Sequence, residues 1–133
     1  MTKFIDILKE SLKKDILFIK PNFEKEWDEA KRYPEIFKDK EQWIKIAPTG
    51  KEQNVDCSMN IQNTDMCENN LEDLHPDKVA RAKKAIKKGS IELPIVLKIG
   101  NKYELLAGNT RITALKKYGY PTKAWVIDTN KIN

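Results

Sequence analysis

A glycine and an arginine stand three residues apart in the motif Gly108-Asn-Thr-Arg111, at the start of a segment with helical spacing. A helix N-terminus presents backbone N–H groups that lack intrahelical partners, together with the positive end of the helix dipole. Glycine lets an anion approach the backbone closely, and an arginine in the first turn adds a planar set of donors that suits phosphate oxygens. The motif therefore predicts a phosphate-binding site formed by Gly108, Asn109, Thr110 and Arg111. An ordinary surface arginine at a helix start is the alternative, because short glycine-containing patterns often occur by chance.

Two strands joined by a tight turn are predicted directly before the motif. Apolar residues alternate with others over 95–99 and again over 103–107, and the turn dipeptide Gly100-Asn101 lies between them. Downstream, a helix is expected to end at Gly119, and a short apolar run at 124–127 predicts a returning strand. The phosphate loop is therefore expected to follow a β-hairpin.

A helix predicted over residues 78–88 is strongly basic. Val79, Ala82 and Ile86 form its apolar stripe. Its cationic residues are Lys78, Arg81, Lys83, Lys84, Lys87 and Lys88. Such a face predicts a patch that follows a DNA or RNA backbone without reading its sequence. A solvated helix surface is the alternative.

The order of these parts resembles the ParB/sulfiredoxin fold over residues of about 70–128. A basic helix ending near Gly89 is followed by Leu93-Pro94-Ile95-Val96, a hairpin, the Gly-x-x-Arg loop, a helix and a final strand. The resemblance implies an α+β domain with a small mixed sheet and flanking helices. It also implies that the loop at 108–111 binds nucleotide or nucleic-acid phosphates.

Two departures narrow what the resemblance implies. Sulfiredoxins have a cysteine where this chain has Asn109, so sulfinic-acid reduction is not expected. Partition proteins that hydrolyse CTP have Glu-Arg in place of Asn109 and Thr110, and they carry a helical DNA-binding domain after this fold. The five residues after Asp128 do not supply such a domain.

The resemblance also suggests catalytic candidates. In kinase members of the fold, an acidic residue before the basic helix serves as the general base, and Asp73, His75 and Asp77 occupy a similar place. Together with Glu104, these residues could serve a nucleoside triphosphate and Mg²⁺ in phosphoryl transfer or DNA cleavage. In the structural alternative, Asp73 or Asp77 caps the helix. A non-catalytic module that binds nucleotide or DNA and a metal-dependent enzyme (kinase, NTPase or nuclease) are therefore the two functional hypotheses.

Residues 1–50 predict a helical extension that packs on the domain at 71–133. The expected apolar stripes are Phe4, Ile5, Leu8 and Leu12, then Phe23, Trp27 and Ala30 after an Asn22 cap, and then Trp43, Ile44 and Ala47 after an Asp39 cap. The aromatic residues of this extension are expected to pack against the sheet, with stacking on nucleic-acid bases as the alternative. The connection at 33–38 contains no glycine, which argues against a helix-turn-helix.

Residues 51–70 are polar and lack periodicity, which predicts an irregular connection. Within it, 61–65 is either a solvated linker or a loop that closes over a ligand at 108–111 through Asn63, Thr64 and Asp65. Cys57 and Cys67 are expected to be free thiols, since the chain has one histidine to complete a zinc site and a cytosolic chain rarely keeps a disulfide.

The composition is that of a modestly basic chain with room for one core. Its 133 residues carry 25 Lys and Arg against 20 Asp and Glu, a formal net charge of +5. This charge is compatible with a polyanionic partner but does not require one. The sequence contains no secretory signal and no stretch that could span a membrane, which predicts a cytoplasmic protein without a membrane partner.

Overall fold

The computed structural model describes residues 16–68 and 70–132, which form a mixed α+β fold, as the sequence predicts. The described helices are α1 (Phe23–Ala30), α2 (Lys40–Ile46), α3 (Pro76–Lys88) and α4 (Asn109–Lys117). The strands are β1 (Leu17–Ile19), β2 (Lys51–Asn54), β3 (Ser90–Glu92), β4 (Ile95–Ile99), β5 (Lys102–Ala107) and β6 (Lys123–Asp128). The helix expected around Phe4 to Leu12 lies outside the described residues.

The main sheet has four strands in the order β2-β6-β4-β5. β4 pairs antiparallel with β5, as the predicted hairpin requires, and parallel with β6. Ile95, Val96 and Leu97 in β4 are fully buried, because both faces of this central strand are covered. β1 and β3 pair separately as a parallel two-stranded sheet.

Helices cover both faces of the main sheet. On one face, Trp43 and Phe37 pack against Ile95 and Leu97 in one apolar cluster, which confirms that the aromatic residues of the N-terminal segment belong to the core. On the other face, Ile112 of α4 packs with β4, β5 and β6. α3 packs in turn on α4 through a cluster of small and aliphatic residues, Val79, Ala82, Leu71 and Ala114.

Two of the three predicted helix caps are confirmed. Asn22 caps α1, and Asp39 accepts a bond of 2.8 Å from the Gln42 backbone N–H at the start of α2. The cap of α3 was predicted at Asp73 or Asp77, and this is wrong. His75 is the cap, since its Nδ1 accepts a bond of 3.2 Å from the Asp77 backbone N–H.

Residues 51–70 are more ordered than their composition suggests. Lys51–Asn54 form β2, antiparallel to β6, although all four side chains are polar and exposed. A fully exposed edge strand has no apolar alternation, so the pattern that identifies strands is missing. Gln62 then forms a bridge with Glu104 on the outer edge of β5.

The prediction of free thiols at Cys57 and Cys67 is also wrong. The two cysteines form a disulfide, with their Cα atoms 5.8 Å apart. The tight turn at Cys57–Met59 and a second turn around Cys67 bring them within the usual range for such a bond. The described residues include no helix that could cross a bilayer.

Candidate functional site

Gly108 sets the geometry at the start of α4. Its φ is +95°, in the region that favours glycine, and no side chain caps the helix there. A Cβ on this residue would lie 2.7 Å from Nη2 of Arg111 and 2.8 Å from Cβ of Pro94. The position therefore requires glycine for its backbone angle and for the close approach of two neighbours.

Backbone donors are available beside this glycine. The first helical bond of α4 runs from the Ile112 N–H to the Gly108 carbonyl, at 3.0 Å. The N–H groups of Asn109, Thr110 and Arg111 precede it in the first turn and have no acceptor within the helix. They form the kind of donor set that binds phosphate or sulfate at a helix N-terminus.

The side chain of Asn109 holds a neighbouring segment in place. Its Oδ1 accepts bonds from the Thr64 hydroxyl at 2.9 Å and the Asp65 backbone N–H at 2.8 Å. Its Nδ2 donates to Oδ2 of Asp65 at 2.7 Å. Thr64 and Asp65 thus contact residue 109 directly, whereas Asn63 bonds the Leu105 carbonyl; closure of 61–65 over a ligand stays a prediction. The amide of Asn109 is used within the protein, so this residue can offer a ligand its backbone N–H.

Arg111 lies between two carboxylates that come from distant parts of the chain. Its Nη2 is 3.7 Å from Oε2 of Glu26 in α1, and its Nη1 is 3.5 Å from Oε2 of Glu92 in β3. Both distances exceed the 2.7–2.9 Å that is typical of charge-assisted hydrogen bonds. The guanidinium is thus placed by two acids and retains donor capacity.

Glu26 is the most deeply buried charged residue of this group. Its side chain is 11% exposed, against 22% for Arg111 and 24% for Glu92. Burial raises the pKa of Glu26, while the adjacent Arg111 lowers it. Glu92 raises this pKa again, since a second negative charge opposes ionisation.

The basic face of α3 is exposed as predicted. All six of its cationic residues are exposed, and Val79 and Ala82 are buried on the opposite face. None of the six lies within ion-pairing distance of a carboxylate in the described part of the chain. The only acidic residue of α3 is Asp77, in its first turn. This surface is therefore strongly cationic.

The acidic string before α3 lies beside the last turn of α4. Glu72 forms an ion pair of 2.6 Å with Lys117 at that end of the helix. A rise of 1.5 Å per residue places the last turn about 12 Å from the first. Asp73, His75 and Asp77 are exposed, and in the described part of the chain none of them forms a hydrogen bond or an ion pair with residues 108–111.

Glu104 lies on the other face of the sheet from α4. It shares its side of β5 with Leu106, which packs against the N-terminal helices, whereas Leu105 packs with Ile112. Its carboxylate accepts a hydrogen bond from the hydroxyl of Tyr33, and this contact together with burial raises the pKa of Tyr33. Among the described residues, the carboxylates that contact Asn109 or Arg111 are those of Glu26, Glu92 and Asp65, and the sequence predicted only Asp65 there.

Within residues 16–68 and 70–132, no group of three or more His, Cys, Asp or Glu side chains is arranged to hold a metal ion. The chain matches no protein-family model, no curated protein and no solved structure.

Proposed function

We propose that this protein is a phosphate-recognising module that binds a nucleotide or a DNA backbone at the N-terminus of α4. The observation that carries the proposal is the uncapped first turn, in which three backbone N–H groups lack a helical acceptor and the Arg111 guanidinium lies close to Gly108. Backbone donors and the helix dipole suit an anion, and a guanidinium adds bidentate contacts to phosphate oxygens.

The two carboxylates beside Arg111 weaken the attraction of the guanidinium for an anion when they are ionised. With both ionised, Glu26 and Glu92 outweigh the guanidinium and weaken attraction for an anion. Protonation of Glu26, whose pKa is raised by burial, removes one of these charges. We therefore expect anion affinity to increase as the pH falls through the raised pKa of Glu26.

The exposed cations of α3 favour a polyanion among the possible ligands. Its six positive charges, none of which forms an ion pair within the described residues, could contact phosphates and release counterions from a nucleic acid. These contacts supply affinity without base recognition. The order of elements from α3 to β6 also agrees with the proposed relationship to the ParB/sulfiredoxin fold, in which the equivalent loop binds phosphates.

A metal-dependent phosphoryl-transfer enzyme is less well supported. Such an enzyme needs a carboxylate within reach of the transferred phosphate. The candidates Asp73, His75 and Asp77 are exposed and form no hydrogen bond or ion pair with residues 108–111 in the described part of the chain, and Glu104 lies on the other face of the sheet. A binding module requires none of them.

The proposal is tested with ATP, CTP, GTP and a short labelled DNA duplex, each with and without Mg²⁺. Arg111→Ala is expected to weaken binding by about 1.5–3 kcal/mol, the contribution of hydrogen bonds to a charged group. Glu26→Gln is expected to strengthen it, because the variant removes a negative charge and keeps the arginine.

Arg32→Ala is the matched control. Arg32 is an exposed arginine paired with Glu29 at 3.5 Å, outside the proposed site. Its loss should leave affinity nearly unchanged. Circular dichroism establishes that each variant is folded. Equal affinities of the Arg111 and Arg32 variants, or no binding of any of these ligands by the wild-type protein, would refute the proposal.

A further inference from the structure

The disulfide closes a short ring of chain on the surface of the protein. Cys57 and Cys67 are both exposed residues, so the disulfide lies at the surface, where an external thiolate can approach it. They are the two cysteines of the sequence, so no other pairing within one chain is possible. The ring contains the segment 61–65.

The same segment covers an edge of the main sheet. The Gln62 N–H donates to the Tyr103 carbonyl at 2.9 Å, and the Leu105 N–H donates to the Gln62 carbonyl at 2.9 Å. Nδ2 of Asn63 donates to the Leu105 carbonyl at 3.2 Å. β5 is the last strand of the sheet on this side, so these bonds satisfy backbone groups that would otherwise be open to pairing with another chain.

The ring is also held by the hydrogen bonds of Thr64 and Asp65 to Asn109 and by the side chain of Met66, which lies within it. Val55 and Met66 are buried and anchor the chain on either side of residues 59–63. Between them, Met59 and Ile61 are only partly buried, and Gln62 and Asn63 are exposed. The stretch from Met59 to Asn63 contains no fully buried side chain, so we expect the cross-link to add to its local stability by limiting the conformations of the open chain.

We propose that Cys57–Cys67 is a reversible thiol–disulfide exchange site for a dithiol reductant, and that its reduction releases segment 61–65 from the edge of β5. A thiolate of the reductant attacks one sulfur of the disulfide, forms a mixed disulfide and expels the other cysteine as a thiolate. The second thiol of the reductant then displaces the remaining cysteine. Two electrons pass to the cysteine pair, which takes up two protons, and the reductant becomes a disulfide. This proposal does not depend on phosphate binding.

Hydrogen exchange of the Gln62 and Leu105 amides tests the release. The oxidised wild-type protein is compared with the same protein reduced by dithiothreitol. We expect both amides to exchange about tenfold faster or more after reduction. The Trp43 amide, which donates to the Asp39 carbonyl in α2, should change little and reports on global unfolding.

A Cys57→Ser, Cys67→Ser double variant is the matched control. It should exchange as the reduced wild-type protein does and show no response to dithiothreitol. Two alkylatable thiols in denatured protein that was purified without reductant would overturn the proposal. So would unchanged exchange at Gln62 and Leu105 after reduction, or an equal acceleration at Trp43. If the double variant fails to fold, the comparison of oxidised and reduced wild-type protein still tests whether reduction releases segment 61–65.

Discussion

Arg111→Ala is expected to destabilise the fold at neutral pH, because it leaves a buried carboxylate without its cation. Oε2 of Glu26 lies 3.7 Å from the guanidinium, and the Glu26 side chain is 11% exposed. Glu92 approaches the other terminal nitrogen at 3.5 Å. Without the arginine, two acidic groups face the same space, and their mutual repulsion is no longer offset.

The size of the effect follows from the distance and the burial. At 3.7 Å, Coulomb's law with an effective dielectric constant of about 20 gives an attraction of about 4–5 kcal/mol. Desolvation of the two charges offsets much of this attraction. Removing one member of a fully buried pair costs about 3–5 kcal/mol. Because Arg111 and Glu92 are partly exposed and screened by water, we expect a loss of about 2–3 kcal/mol in the free energy of unfolding.

The loss of stability in Arg111→Ala should be larger at higher pH. Burial raises the pKa of Glu26 above its ordinary value of 4.5, so the folded state holds this proton more tightly than the unfolded chain. The contribution of Glu26 to stability is therefore fully present below that ordinary value and is lost as the pH rises through the raised pKa. Arg111→Ala removes a charge that lowers the pKa of Glu26, so the penalty should shrink as the pH falls toward 5.

Urea unfolding followed by tryptophan fluorescence at about pH 7.5 and pH 5 measures the effect. Adding Glu26→Gln to Arg111→Ala should recover most of the loss at the higher pH, because the variant no longer buries an unpaired charge. Differences between variants at one pH cancel the titration of the other carboxylates. Wild-type stability in Arg111→Ala, or an equal loss at both pH values without recovery in the double variant, would refute the electrostatic account.

Three further predictions address the surroundings of the site. Gly108→Ala should lower the free energy of unfolding by about 2–4 kcal/mol, because it strains the backbone and crowds Pro94. Gly100→Ala, also at positive φ but with no atom near its Cβ, should lower it by about 1–2 kcal/mol. Equal losses in thermal unfolding would argue against crowding. Asn109→Ala should lower the free energy of unfolding by about 2 kcal/mol, because it leaves the Asp65 N–H without an acceptor. Titration calorimetry should show that the variant keeps its affinity for phosphate. A complete loss of that affinity would mean that the Asn109 side chain contacts the ligand. If α3 follows a DNA backbone, the double variant Lys84→Glu, Lys88→Glu should reduce the slope of log affinity against log salt concentration by about 2, measured by fluorescence anisotropy. The exposed pair Lys38→Glu, Lys45→Glu changes the net charge equally and should reduce this slope less.

Local sequence patterns predicted the elements around the site well. The hairpin, α3, α4 and the caps at Asn22 and Asp39 depend on residues within a few positions of one another, where turn chemistry and apolar spacing act directly. The basic face of α3 was also predicted correctly, because the buried stripe fixes which residues point outward.

Contacts between distant parts of the chain were not predictable in the same way. Arg111 meets Glu26, 85 positions earlier, and no local pattern distinguishes Glu26 from the other acidic residues of α1. Asn109 was predicted as one of four phosphate-binding residues, but its place in the first turn does not show that Thr64 and Asp65 bond its side-chain amide. The disulfide was not predictable for the same reason, since it depends on how two turns of a polar segment fold back on each other.

These long-range contacts change how the N-terminal part of the chain is understood. Residues 1–50 were predicted as a helical extension that packs on the core, and Glu26 of α1 also supplies a charge beside Arg111. In addition, β1 pairs with β3, the strand that carries Glu92, and the Asn22 N–H donates to that same carboxylate. The two acids that place the guanidinium thus depend on the N-terminal segment, directly for Glu26 and through β1 and Asn22 for Glu92. If an anion binds at α4 and draws Arg111 toward itself, we expect the contacts of the guanidinium to α1 and β3 to weaken, because Glu26 and Glu92 hold it from those elements.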